Sequence, residues 1–138
     1  MKRRSFVVLP LAAGAVAVLG AGIATGHQTV YETSTEYRIW ETVSNESGWF
    51  SRYEARFESE KPKCVGGREA KLIATFDGER KVVDRGETSH NGYLLLRGEG
   101  GPGQASRLEH IRFVLRRARI GPSDHKHVCG PFREAQFR

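Results

Sequence analysis

Leu108-Glu109-His110-Ile111-Arg112-Phe113-Val114-Leu115-Arg116-Arg117-Ala118 decides between two folds. A period of 3.6 would make it one short helix. A period of two makes it a strand, with Ile111, Phe113 and Leu115 on one face and Arg112, Val114 and Arg116 on the other. The large apolar residues alternate better than they spiral, so the stretch predicts a half-buried antiparallel strand. The same pattern recurs upstream. Tyr53, Ala55 and Phe57 share a face opposite Arg52, Glu54, Arg56 and Glu58, and Ala70, Leu72, Ala74 and Phe76 align in a second run. In Gly92–Arg97, Tyr93 and Leu95 oppose Leu94 and Leu96, which predicts a strand buried on both faces. Weaker strands are predicted at Val30–Trp40, Arg80–Asp84, His125–Cys129 and Glu134–Phe137. No long window carries a helical period.

The spacers carry turn chemistry. Asp77-Gly78 stands between two strand runs and fits a tight hairpin. Glu60-Lys61-Pro62-Lys63 and Gly66-Gly67 bracket Cys64, and Asn91-Gly92 lies at the mouth of a strand. Residues 41–48 read as a polar connector, and Gly98–Ser106 as a mobile Gly-rich loop. Short strands separated by turns predict an all-β, Ig-like antiparallel sandwich.

Outward from the strands, the first 26 residues read as an export signal. Lys2, Arg3 and Arg4 form a basic cluster, no charge follows from Phe6 to Gly26, and small residues gather at Ala21, Gly22, Ala24 and Gly26. This predicts a signal helix, with an uncleaved N-terminal anchor as the competing reading. Export by the general secretory route is the simpler expectation; Arg3-Arg4-Ser5-Phe6-Val7 also resembles a twin-arginine signal. The chain of 138 residues is then one ordinary domain behind a leader, which excludes a multidomain enzyme. Of its formal charge of +6, half belongs to the leader. The rest is uneven: residues 27–106 are net −2 and residues 107–138 net +5. The overall charge therefore gives no reason to expect nucleic acid. Residues 27–49 read as a leading strand and connector, and residues 50–138 as the sandwich.

Cys64 and Cys129 are the only cysteines, and in an exported chain they most simply form one disulfide. The loop closed would hold about 65 residues, which the chain-entropy description values at roughly 4 kcal/mol. A metal-binding or redox thiol pair is the lesser alternative, because there is no C-x-x-C.

Three ordered pieces carry a family resemblance. They are Phe57-Glu58-Ser59 with Lys63-Cys64-Val65-Gly66-Gly67-Arg68-Glu69-Ala70-Lys71-Leu72; Asp84-Arg85-Gly86 with Thr88-Ser89-His90-Asn91-Gly92-Tyr93-Leu94-Leu95; and Arg112-Phe113-Val114 with His127-Val128-Cys129-Gly130. Over residues 50–138 the chain resembles small secreted bacterial proteins with a transthyretin-like sandwich, also called carboxypeptidase-regulatory-like or Cna-B-like. The resemblance implies about seven strands, a secreted or surface location and a module that binds, braces or links, with no catalytic residue. Gly98–Arg107 departs from the family's short turn, which leaves the pairing of residues 98–110 open.

Several clusters hold candidate chemistry. His125 and His127 at i, i+2 would share a strand face and can present two imidazoles to Zn²⁺ or Cu²⁺, with His110, His90 or Asp124 completing a site; two exposed polar positions beside a disulfide is the plainer reading. Arg112, Arg116, Arg117 and Arg119 with Lys126 form a basic run suited to a polyanion, or simply a solvated strand. Trp40 and Trp49, near Tyr31, Tyr37 and Phe50, would either form a stacking platform for sugars or plug the core. Ser89-His90 and Ser123-Asp124-His125 place hydrolase residue types side by side, but adjacency in sequence is not triad geometry and no G-x-S-x-G is present. The expectation is a non-enzymatic, extracytoplasmic sandwich without a cofactor. Its partner would be a cell-envelope polymer or another envelope protein, with membrane contact only through an uncleaved leader. Polysaccharide or polyanion binding and metal binding are the alternatives.

Overall fold

The computed structural model describes residues 28–121 and 127–137. The expected leader helix, His125 and Lys126 lie outside the described residues. The strands are β1 (Thr29–Tyr31), β2 (Thr33–Asn45), β3 (Gly48–Ser59), β4 (Glu69–Phe76), β5 (Glu79–Glu87), β6 (Tyr93–Gly100), β7 (Leu108–Leu115), β8 (Ala118–Arg119), β9 (His127–Cys129) and β10 (Phe132–Phe137). A 3-10 turn covers Pro62–Cys64, and one helical turn, α1, covers Pro102–Ala105.

Two antiparallel sheets face each other, one ordered β10-β7-β4-β5 and the other β2-β3-β6. The predicted alternation is what fills the space between them. Tyr53, Ala55 and Phe57 of β3 and Leu94 and Leu96 of β6 meet Ala70, Leu72 and Ala74 of β4 and Ile111, Phe113 and Leu115 of β7. Tyr53 stacks on Phe113 across the gap, with ring centroids 3.9 Å apart. Side chains lace both open edges. At one edge Arg38 of β2 pairs with Glu134 of β10, and Thr42 donates to Gln136. At the other, the Arg97 N–H of β6 donates to Asp84 of β5 at 2.8 Å. Such bridges cover edge strands that would otherwise offer unpaired backbone groups.

The structure has ten strands among the described residues against the expected seven or so, seven of them in the two facing sheets. The remaining three form a small third sheet, β1-β9-β8, in which β1 runs parallel to β9 and sets Tyr31 opposite Cys129. Cys64 and Cys129 are disulfide-bonded with Cα atoms 5.3 Å apart, which fastens this sheet to the 3-10 turn.

Three expectations are corrected. Residues 41–45 are not connector but the second half of β2, paired with β3 as far as Asn45↔Gly48. β6 is buried on one face only: Leu94 and Leu96 point inward, whereas Tyr93 is exposed and Leu95 half-buried. Gly98–Ser106 is not a mobile loop. Gly98 and Gly100 pair with Ser51 and Trp49, and α1 follows, its Ala105 buried. The glycine at 98 answers a close approach: a Cβ there would lie 2.7 Å from Val83 and 2.9 Å from the Trp49 ring. This also settles the pairing of residues 98–110, with Leu108 opposite Phe76 and His110 opposite Thr75.

Candidate basic face of the four-stranded sheet

The register across β10, β7, β4 and β5 determines which side chains share the solvent face of that sheet. Thr75 lies between His110 and Arg80, Ile73 between Arg112 and Val82, and Lys71 between Val114 and Arg85; Arg133 pairs with Val114 from the other side. Ile73, Thr75, His110 and Val114 floor a hollow of about 250 Å³, and Arg80, Arg112 and Arg133 border it. The Thr75 hydroxyl and His110 Nε2 are 3.1 Å apart. Among the described residues, Arg80, Arg112 and Arg133 have no carboxylate partner and no side-chain hydrogen bond. Three guanidiniums therefore face one depression with ten or more donor N–H groups uncommitted, the geometry that carboxylate, sulfate or phosphate groups satisfy.

Among the described residues, carboxylates stand only at the two ends of this face. Glu69 and Glu87 pair across β4 and β5 beyond Lys71, with Arg116 bound to Glu69 at 2.9 Å. Asp77, bound to Arg107, lies at the hairpin beyond Arg80.

The expected basic run is thus divided. Arg112 belongs to the hollow. Arg116 is engaged by Glu69, Arg117 donates to Gln28, and Arg119 lies on β8 in the third sheet; Lys126 is outside the described residues. Arg80 and Arg133, which complete the face, were not among the expected ligands. Lys71, opposite Val114 and Arg85, shares this outer face.

The other candidates separate. His127 stacks on Tyr31 in the third sheet at 6.0 Å, whereas His110 is on the outer face of the four-stranded sheet. Among the described residues no group of three His, Cys, Asp or Glu side chains is placed to hold a metal ion. The sugar platform at Trp40 and Trp49 is not formed. Trp49 is 3 % exposed, bonded to Gln104 and tilted against Phe76. Trp40 packs edge-on against Tyr53 and donates to Ser51. Ser89 and His90 sit in an exposed turn, with Ser89 Oγ accepting the Tyr93 N–H.

One buried cation went unnoticed in the sequence as a site. Arg68, 2 % exposed, donates to the carbonyls of Cys64, Arg116 and Gly130 and to the Thr33 hydroxyl, at 2.6–3.1 Å. Its role is to tie the 3-10 turn, β2 and the β9–β10 corner together. Compared with protein-family models, curated proteins and solved structures, the chain matches none.

Proposed function

We propose that the protein is an extracytoplasmic, non-catalytic β-sandwich that binds anionic groups through the outer face of its four-stranded sheet. The observation that carries this reading is the trio Arg80, Arg112 and Arg133 around one open hollow with no carboxylate among them. Surface arginines usually find an acidic neighbour, as Arg38, Arg52, Arg56, Arg107 and Arg116 do here. Three left together raise the local positive potential and attract anions. A cell-envelope polymer is the partner that best suits the leader-like N-terminus, and the Cys64–Cys129 disulfide is at home in an oxidising compartment. The resemblance to transthyretin-like modules supports a binding role in place of a catalytic one.

The test is titration of the protein with dextran sulfate, wild type against Arg112→Glu. Charge reversal in the middle of the hollow should weaken binding about tenfold or more at low salt and leave the melting temperature nearly unchanged. Equal binding by the two proteins would overturn the assignment.

A further inference from the structure

We infer that the ligand of this face is a linear polyanion lying across the strands from β5 to β10, not a single small anion and not a chain running along a strand. The inference rests on the anion-binding reading above and adds the shape and direction of the ligand. It follows from where the cations and carboxylates fall on the sheet lattice.

Neighbouring strands lie about 4.8 Å apart, and alternate residues on one strand about 6.8 Å apart. Arg112 and Arg133 are one strand and one step apart, which places their backbones roughly 8 Å from each other. Arg80 is two strands and one step from Arg112 in the opposite sense, roughly 12 Å away. The three arginine backbones therefore follow a diagonal of roughly 20 Å, longer than any single phosphate or sulfate. Lys71 and Arg85 stand beside it, two further cations without a carboxylate partner among the described residues. A polymer laid parallel to β4 would meet Glu69 and Glu87 at one end and Asp77 at the other. On the diagonal it meets no acidic side chain of the described residues from Arg80 to Arg133. The apolar floor of Ile73 and Val114 offers a surface for the uncharged links of such a chain.

Linked anions that engage successive arginines gain through effective concentration, so affinity should climb with chain length until the diagonal is spanned. The experiment uses the protein with inorganic phosphate, tripolyphosphate, long-chain polyphosphate and dextran sulfate. The wild type is compared with Arg80→Gln, Arg133→Gln and Arg112→Gln, each checked for an unchanged melting temperature. Long-chain polyphosphate should bind about 100-fold or more tightly than inorganic phosphate. Arg80→Gln or Arg133→Gln should weaken long-chain polyphosphate more than tripolyphosphate and so reduce that gain, and Arg112→Gln should weaken every probe. Comparable binding of dextran sulfate would identify charge spacing as the recognised property; preference for polyphosphate would identify the phosphate group. Arg112-dependent binding that is independent of length would overturn the linear ligand and keep the anion site. Binding of every probe unaltered by all three substitutions would overturn both.

Discussion

Arg68 is a cation without an anion. Its guanidinium is buried against four neutral acceptors, its Nε has no partner, and burial pushes its ionisation downward. Replacing it by methionine would leave the carbonyls of Cys64, Arg116 and Gly130 without their donor. The expected loss is about 3 kcal/mol, read from urea denaturation, with Arg68→Lys losing less because an ammonium can reach some of the same acceptors. A loss under about 0.5 kcal/mol would show that the hub contributes little. Tyr53 makes the complementary case. Its ring is fully buried, its hydroxyl makes no well-formed hydrogen bond, and burial first and the Glu134 carboxylate second push its ionisation well above the ordinary phenol range. The unfolded phenol releases its proton near pH 10, while the folded one retains it. The stabilisation is therefore whole below about pH 10 and is lost as the pH rises above it. Denaturation between neutral pH and strong alkali should show that fall in the wild type and a shallower one in Tyr53→Phe. Neither role was legible in the sequence, because burial of one polar atom depends on which distant strands close over it.

At the scale of the element, legibility followed the chemistry of the inward side. β3, β4 and β7 were plain because their inward positions are apolar. The second half of β2 was missed because Thr42, exposed at the sheet edge, and the half-buried Ser44 are hydroxyls satisfied by Gln136 and by the Ala105 carbonyl. Hydrogen bonds there do what hydrophobic contact does elsewhere, and a hydropathy pattern does not register them. β6 misled in the opposite sense, since Tyr93 and Leu95 are apolar on a face the structure leaves open. The β4–β5 hairpin was correctly anticipated: Asp77 and Gly78 have φ of 48° and 80°, the left-handed pair that a two-residue turn of this hand requires. The Gly98 region shows that a glycine-rich stretch can be rigid. Gly98→Val should force Val83 and Trp49 apart and cost about 2 kcal/mol, measured by thermal or chemical denaturation. An unchanged stability would mean that the Trp49 ring has room to move.

For the whole molecule, the staple and the basic face differ in how far sequence could reach them. Two cysteines admit one intramolecular pairing, so the disulfide was readable from a count. Replacing both by serine should lower stability by about 4 kcal/mol, and thiol titration of the unreduced protein should find no free thiol. Two free thiols would remove the argument for an oxidising compartment. The face could not be counted. Arg80, Arg112 and Arg133 come from three strands, and strand register, absent from composition, brings them together. The net +5 of residues 107–138 covered Arg112 and Arg133 but not Arg80, and grouped Arg112 with arginines that the fold sends elsewhere.

The parallel pairing of β1 with β9 also sets an order of events. Thr29–Tyr31 finds its partner only when His127–Cys129 has been made, nearly a hundred residues later. A chain emerging from its N-terminus must hold its first strand vacant until almost all the rest has appeared. Until then Arg68 lacks the Gly130 carbonyl, and Cys64 has no thiol to join. Synthesis can run ahead with the β2–β3 and β4–β5 hairpins, whose contacts are local, but the closing layer must wait for the C-terminal strands. A chain stopped before residue 127 would hold the β2-β3-β6 sheet and the β7-β4-β5 strands of the facing sheet, and no lock.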